Sequence, residues 1–150
     1  MYRRLGDQRI VVASWESPLG LRDSTPTGST LSMKAGSAAQ VLLALEEPDR
    51  LHRGLQGASF TATQLSVVRR RGWAQSIGER EPGLASVSAP VRMASGKVVA
   101  ALSVSGPIDR MGRQPGRIHG PAVVAAASRL SDFMRRAEGI IASKKNQVAE

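Results

Sequence analysis

The stretch ASVSAPVRMASGKVVAALSVS, residues 85–105, decides the fold of this chain. It contains two runs rich in small and β-branched residues, Ala85–Val91 and Lys97–Ser105, on either side of a short turn around Gly96. Such runs are typical of strands, and strands joined by so short a turn pair antiparallel. The stretch therefore predicts an antiparallel hairpin, and Trp73–Ile77 predicts a further strand just before it.

Side-chain alternation gives this hairpin two faces, because successive residues of a strand point to opposite sides. The later strand is predicted to divide into Val98, Ala100, Leu102 and Val104 on one face and Val99, Ala101, Ser103 and Ser105 on the other. In the earlier strand Ser86 and Ser88 share a face. The default interpretation is a solvated polar face. The alternative is a shallow pocket lined by hydroxyls, which suits an oxygen-rich small molecule.

A helix is predicted over Ala38–Leu45, with Ser37 as its N-cap and Pro48 after its end. Its first residues are small, which allows a ligand to approach the backbone N–H groups. The start of a helix favours anions because these N–H groups lack partners within the helix. If this helix start faces the serine strands, the site would hold an organic carboxylate.

Two more helices and an early strand complete the prediction. The strand is Arg9–Trp15, and the second helix is Ala62–Arg71 with Thr61 or Thr63 as cap. The longest helix is Pro121–Ala137, beginning at its proline. This order predicts an α+β fold, an antiparallel sheet with helices packed on it, over residues 1–137. Residues 138–150 lose the pattern and are expected to form a flexible tail.

Composition limits the possible functions. The 150 residues include no cysteine, which excludes a disulfide scaffold, a thiolate zinc site and a cysteine nucleophile. The 21 basic side chains outnumber the 12 acidic ones, giving a net charge of +9, but the excess is spread over both halves of the chain. We therefore expect a basic surface that attracts anionic ligands rather than a nucleic-acid site within these residues.

Catalytic motifs are absent from the sequence. His52 and His119 lie in polar or turn-rich settings with no metal-ligand spacing, so neither a metal nor a cofactor is expected. Glu79 and Glu81 are predicted to be solvated on opposite sides of a strand. The chain is thus predicted not to be an enzyme. A hydrolase that uses one of the serines would need a histidine or lysine within reach of its hydroxyl.

Two segments carry a family resemblance. Arg71–Val91 and Gly96–Pro107 resemble the patterns R-G-[YW]-a-x-d-x-E-E-x-x-x-G-x-x-C-i-A-A-P-V and G-x-v-v-A-A-L-S-V-S-G-P. These patterns are typical of the effector-binding domain of IclR-type bacterial transcription regulators. The resemblance implies a GAF-like sensor domain that binds a small carboxylate metabolite in a cytoplasmic, homodimeric or homotetrameric regulator, either an activator or a repressor. It also implies DNA binding only through a winged helix-turn-helix domain, which this chain lacks.

The resemblance also implies which residues bind the effector. Carried over position by position, they are Leu21, Ser37, Ala38, Ser76, Ser86, Ser103 and Ser105. Ser76 departs from the family pattern because it replaces an acid, and the segment between the first two helices is short. These departures keep an alternative open, in which the chain is a ligand-free oligomerisation scaffold of a degenerate regulator.

Overall fold

A computed structural model describes residues 1–18 and 25–148, with side chains up to residue 144. Its sheet has six strands, each antiparallel to its neighbours, in the order β3-β2-β1-β6-β5-β4. The strands are β1 Tyr2–Leu5, β2 Gln8–Val11, β3 Thr30–Ser32, β4 Ala74–Ile77, β5 Leu84–Arg92 and β6 Val98–Pro107. The helices are α1 Ser37–Ala44, α2 Pro48–Leu55, α3 Ala62–Arg71, α4 Ile108–Met111 and α5 Pro115–Val148.

The predicted hairpin forms the centre of the sheet. Strands β5 and β6 pair antiparallel, with Ser86 opposite Ser105 and Ser88 opposite Ser103. The apolar side chains of β5 and β6 pack against α5, whereas the serine face lies towards α1. The α+β prediction is therefore confirmed. The default interpretation of a solvated serine face is wrong, because α1 covers that face and leaves Ser88 fully buried.

One predicted face assignment fails at the start of β6. Val91 pairs with Ala100 but Arg92 pairs with Val98, so Val99 is an extra residue on β6. Such a bulge interrupts the period of two. As a result Val98 packs on the α1 side and Val99 on the α5 side, the reverse of the prediction.

The N-terminal residues form a hairpin that the sequence analysis missed. Strand β1 is only four residues long and pairs with β2 through a turn at Gly6, whose φ of 60° favours glycine. The predicted strand Arg9–Trp15 shrinks to Gln8–Val11. Two arginines in so short a strand hide its pattern, and the pairing of β1 with β6 is a long-range contact that no local pattern reports.

The helix predictions differ in accuracy. Helix α3 has the predicted bounds and is capped by Thr61, whose hydroxyl accepts from the N–H of Gln64. Helix α1 ends before Pro48, which instead begins α2. In α1 the N-cap is Gly36, so the prediction of Ser37 as cap is wrong: its hydroxyl bonds to serines on the sheet instead.

Helix α5 extends beyond both predicted ends. It begins at Pro115, so Pro121 lies inside it, and it continues to Val148 through most of the predicted tail. Gly116 and Gly120 let its first turns pack closely on Trp73; a Cβ at Gly116 would lie 2.0 Å from the indole. This tertiary contact explains the earlier start. The flexibility predicted for residues 138–150 stays a prediction.

Candidate functional site: a serine-lined cavity at the start of helix α1

A small cavity lies where the start of α1 meets strands β4, β5 and β6. Six of the seven predicted effector-binding residues line it: Ser37, Ala38, Ser76, Ser86, Ser103 and Ser105. Leu21, the seventh, lies outside the described residues. The space open to the centre of a water molecule is about 20 Å³. The cavity as it stands therefore has room for about one water molecule.

Four serine hydroxyls form a chain of hydrogen bonds beside the cavity. The Oγ of Ser37 lies 2.7 Å from the Oγ of both Ser86 and Ser88. The Oγ of Ser88 in turn lies 2.6 Å from that of Ser103. The strand register explains the arrangement, because Ser88 and Ser103 are directly opposite and Ser86 is two residues away on the same face. A hydroxyl can both donate and accept, so these bonds can be exchanged for bonds to a ligand oxygen.

Ser76 lies on the neighbouring strand β4, opposite Ser86, and is buried in the cavity wall. Its small neutral side chain occupies the position where the family pattern has an acid. The wall there therefore carries no negative charge from this position. This favours an anionic ligand over a cationic one.

A buried arginine adds a positive charge that the sequence analysis did not predict. Arg9 on β2 lines the cavity and is 3% exposed. Its Nη1 donates to the carbonyl of Ser32, and its guanidinium carbon lies 5.4 Å from the centre of the Tyr2 ring. A Cβ at Gly36 would lie 3.1 Å from Nη2, so the α1 start and the guanidinium approach closely. Local sequence gave no signal, because arginine in a short strand is usually exposed.

Gly36 places the start of α1 in this arrangement. Its φ of 96° is a left-handed conformation that side chains rarely adopt. Its N–H donates to Oε2 of Glu79 at 2.9 Å, while Oε1 of Glu79 accepts from Nε2 of Gln40 at 3.0 Å. A carboxylate of the chain itself thus already binds one N–H at this helix start.

The prediction that Glu79 is a solvated strand residue is wrong. Strand β4 ends at Ile77, so Glu79 lies in the following loop and turns towards α1, whereas Glu81 is exposed as predicted. Burial raises the pKa of the Glu79 carboxyl above its usual value. The hydrogen bonds from Gly36 and Gln40, and the charge of Arg9, oppose this rise in pKa.

Neither metal chemistry nor serine hydrolysis finds support at this cavity. Within residues 1–18 and 25–144, no three His, Asp or Glu side chains come together as a metal site would require. The hydrogen bonds of Ser86 and Ser103 go to other serines, not to a histidine or lysine that could act as a base. No helix in the described part of the chain is long and apolar enough to span a membrane.

Sequence comparison identifies the family. A family model described as "Bacterial transcriptional regulator IclR C-terminal" matches residues 1–132. The chain belongs to the IclR family. The predicted resemblance is confirmed, and the relatives of this IclR C-terminal domain are transcriptional regulators rather than enzymes.

Two curated regulators match most of this IclR domain. The HTH-type transcriptional regulator BhcR of Paracoccus denitrificans is 30% identical over 139 residues, covering 84% of this chain and 50% of that protein. The HTH-type transcriptional regulator KdgR of Dickeya chrysanthemi is 26% identical over 141 residues, covering 85% and 46%. The chain spans about half the length of the curated relatives it matches.

Solved structures support the same assignment. An IclR-family protein from Rhodococcus sp. is 30% identical, with a TM-score of 0.74, and the match covers 90% of this chain and 56% of that one. The Thermotoga maritima IclR structure has a TM-score of 0.79 at 18% identity, covering 89% and 59%, and supports the fold alone.

Proposed function

We propose that this IclR C-terminal domain senses a small organic acid that binds in the serine-lined cavity. The observation that carries the proposal is the buried guanidinium of Arg9 on the same cavity as the α1 start and the serine hydroxyls. A buried charge needs compensation, and a carboxylate is the anion that a guanidinium and hydroxyls bind best together. The predicted residues Ser37, Ser103 and Ser105 supply the hydroxyls.

The size of the cavity limits how such an acid can bind. Ligand sites commonly have volumes of roughly 300–1,000 Å³, whereas about 20 Å³ is open to a water molecule here. The acid must therefore displace wall side chains or move the α1 start. Arg80 lines the cavity from the β4–β5 loop and is half-buried, so its side chain can move without disturbing the core.

The same small volume favours a second candidate, the ligand-free oligomerisation scaffold. Serines whose hydroxyls bond to one another, as those of Ser37, Ser86 and Ser103 do with Ser88, need no ligand. In that case the serine chain holds α1 on the sheet and the domain acts through contacts between copies. The two candidates differ in whether any acid binds.

Thermal unfolding with a panel of sodium mono- and dicarboxylates of two to six carbons tests the proposal. An acid at 100 times its Kd stabilises the folded domain by about 2.7 kcal/mol, which raises the Tm by roughly 5–11 °C for a chain of this size. Sodium chloride at equal ionic strength is the control. A panel without any shift would replace the proposal with the scaffold candidate.

Variants then test the site. The double variant Ser103→Ala and Ser105→Ala is expected to abolish the shift, because it removes hydroxyls that line the cavity. Arg9→Lys keeps the charge and is expected to weaken binding without abolishing it. Arg117→Gln, on the exposed face of α5, is the matched control and keeps the full shift. Equal shifts in all four proteins would show that the acid binds elsewhere.

The role of the whole regulator extends this proposal. IclR-family regulators bind DNA and small-molecule effectors. We expect the acid to modulate DNA binding by a winged-helix domain of the whole regulator. A homodimer or homotetramer and a cytoplasmic location stay predictions. Sedimentation of the domain with and without the stabilising acid measures the oligomer.

A further inference from the structure

A second, larger depression runs between α2, the loop before α1, and the edge formed by β1 and the start of β6. Its volume is about 840 Å³, and it shares no lining residue with the serine-lined cavity. Six basic side chains line it: Arg3, Arg4, Lys34, Arg50, Arg53 and Lys97. We refer to it as the basic groove.

The basic groove concentrates charge that is dispersed in the sequence. Its two acidic side chains, Asp7 and Glu46, leave a net charge of +4 among its lining residues. The whole chain carries +9, so a small part of the surface accounts for nearly half of the excess. Folding brings together residues from β1, α2 and the β5–β6 turn that lie up to 94 positions apart.

Ion pairs within the groove neutralise only part of this charge. Glu46 contacts both Arg4, at 2.7 Å, and Arg50, at 3.6 Å. Lys34 keeps its positive charge, because its Nζ donates to the carbonyls of Arg53 and Gly54 rather than to a carboxylate.

Three basic side chains remain on the exposed rim. Arg3, Arg53 and Lys97 are exposed, and they come from β1, α2 and the turn before β6. None of them forms an ion pair with an acidic side chain in the described part of the chain. Their charges are thus available to a partner along the groove.

We propose that the basic groove binds the phosphate backbone of double-stranded DNA, independently of base sequence. Four of its six cations are arginines, whose planar guanidinium groups match phosphate oxygens. No aromatic side chain lines the groove, so unpaired bases have no surface to stack on, and a duplex fits better than a single strand. The IclR-family assignment puts DNA within reach of the whole protein. The proposal goes beyond the sensing function and does not rest on it.

Fluorescence anisotropy with a labelled 25-base-pair duplex of arbitrary sequence tests the proposal. The 150-residue chain is titrated at salt concentrations from 50 to 200 mM. The groove variant Arg3→Gln, Arg53→Gln and Lys97→Gln is compared with a control that removes the same charge from α5. The control variant is Arg117→Gln, Arg129→Gln and Arg136→Gln, three exposed positions outside the groove.

Counterion release sets the expected result. Each lost phosphate contact lowers the slope of log K against log salt by about 0.9, which is about eight-fold in affinity at 0.1 M salt. The groove variant is expected to lose this for each of its three positions, and the α5 variant much less. Unchanged circular dichroism of both variants shows that they remain folded.

Three results would overturn the proposal. The first is an absence of binding by the wild-type chain at 50 mM salt. The second is an equal loss in both variants, which would assign the attraction to net charge alone. The third is competition by polyglutamate as strong as that of duplex DNA of equal charge, which would favour an acidic protein partner.

Discussion

Removing one hydroxyl, with Ser37→Ala, tests whether the serine chain holds α1 on the sheet. Ser37 loses hydrogen bonds to Ser86 and Ser88, both with 2.7 Å between oxygens. Ser88 keeps its bond to Ser103, whereas Ser86 loses its serine partner and can turn only to the cavity. A net contribution of about 0.5–1.5 kcal/mol per hydrogen bond gives a loss of about 1–3 kcal/mol in the free energy of unfolding.

Urea unfolding followed by circular dichroism measures this loss, and a thermal scan is expected to show a Tm lower by roughly 3–10 °C. The matched control is Ser128→Ala on the exposed face of α5, where alanine favours the helix and stability stays equal or rises slightly. If Ser37→Ala changes the free energy of unfolding by less than about 0.5 kcal/mol, the serine chain does not hold the helix, and the reasoning from these distances is refuted.

Two further predictions concern packing and pH. Gly116→Ala places a Cβ against the indole that packs on α5 and is expected to lower the free energy of unfolding by about 1–3 kcal/mol, whereas Gly139→Ala meets no neighbour and is expected to raise it by up to about 1 kcal/mol; urea unfolding measures both, and equal effects would contradict the close contact. The pKa of Glu79 is higher in the folded protein than its unfolded value near 4.5, so the folded state binds more protons, and the free energy of unfolding falls as the pH rises from about 4.5 through the folded pKa. In Glu79→Gln this fall is absent, so the difference between variant and wild type changes across that pH range; a constant difference would contradict the raised pKa.

Local patterns in the sequence are sufficient to predict the central part of the fold. The alternation in β5 and β6 predicts their hairpin and the shared face of Ser86 and Ser88, because the period of two survives wherever the ladder is regular. It fails at Val98, where a bulge reverses the faces. The start of α5 also depends on a tertiary contact, in which Gly116 accommodates an indole from another element.

The candidate site divides in the same way. The serines are predictable because each lies on a strand or at a helix start with a clear pattern. Arg9 and Glu79 are not, because each is drawn inwards by partners distant in the sequence, such as Ser32 for the first and Gly36 for the second. Charged residues are rarely buried without such partners, so a sequence pattern alone assigns them to the surface.

The closed cavity has a consequence for any effector. A ligand shifts a conformational equilibrium only by the difference between its affinities for the two states. An acid that fitted the closed cavity and the open one equally would leave α1 where it is. Because about 20 Å³ admits little more than a water molecule, only the open state can hold an acid. Its apparent affinity falls by the fraction of molecules that are open, so a state populated at about 1% weakens binding about 100-fold. That same exclusion ties binding to movement of the wall that Ser37 and Gly36 form, since the acid cannot enter without it.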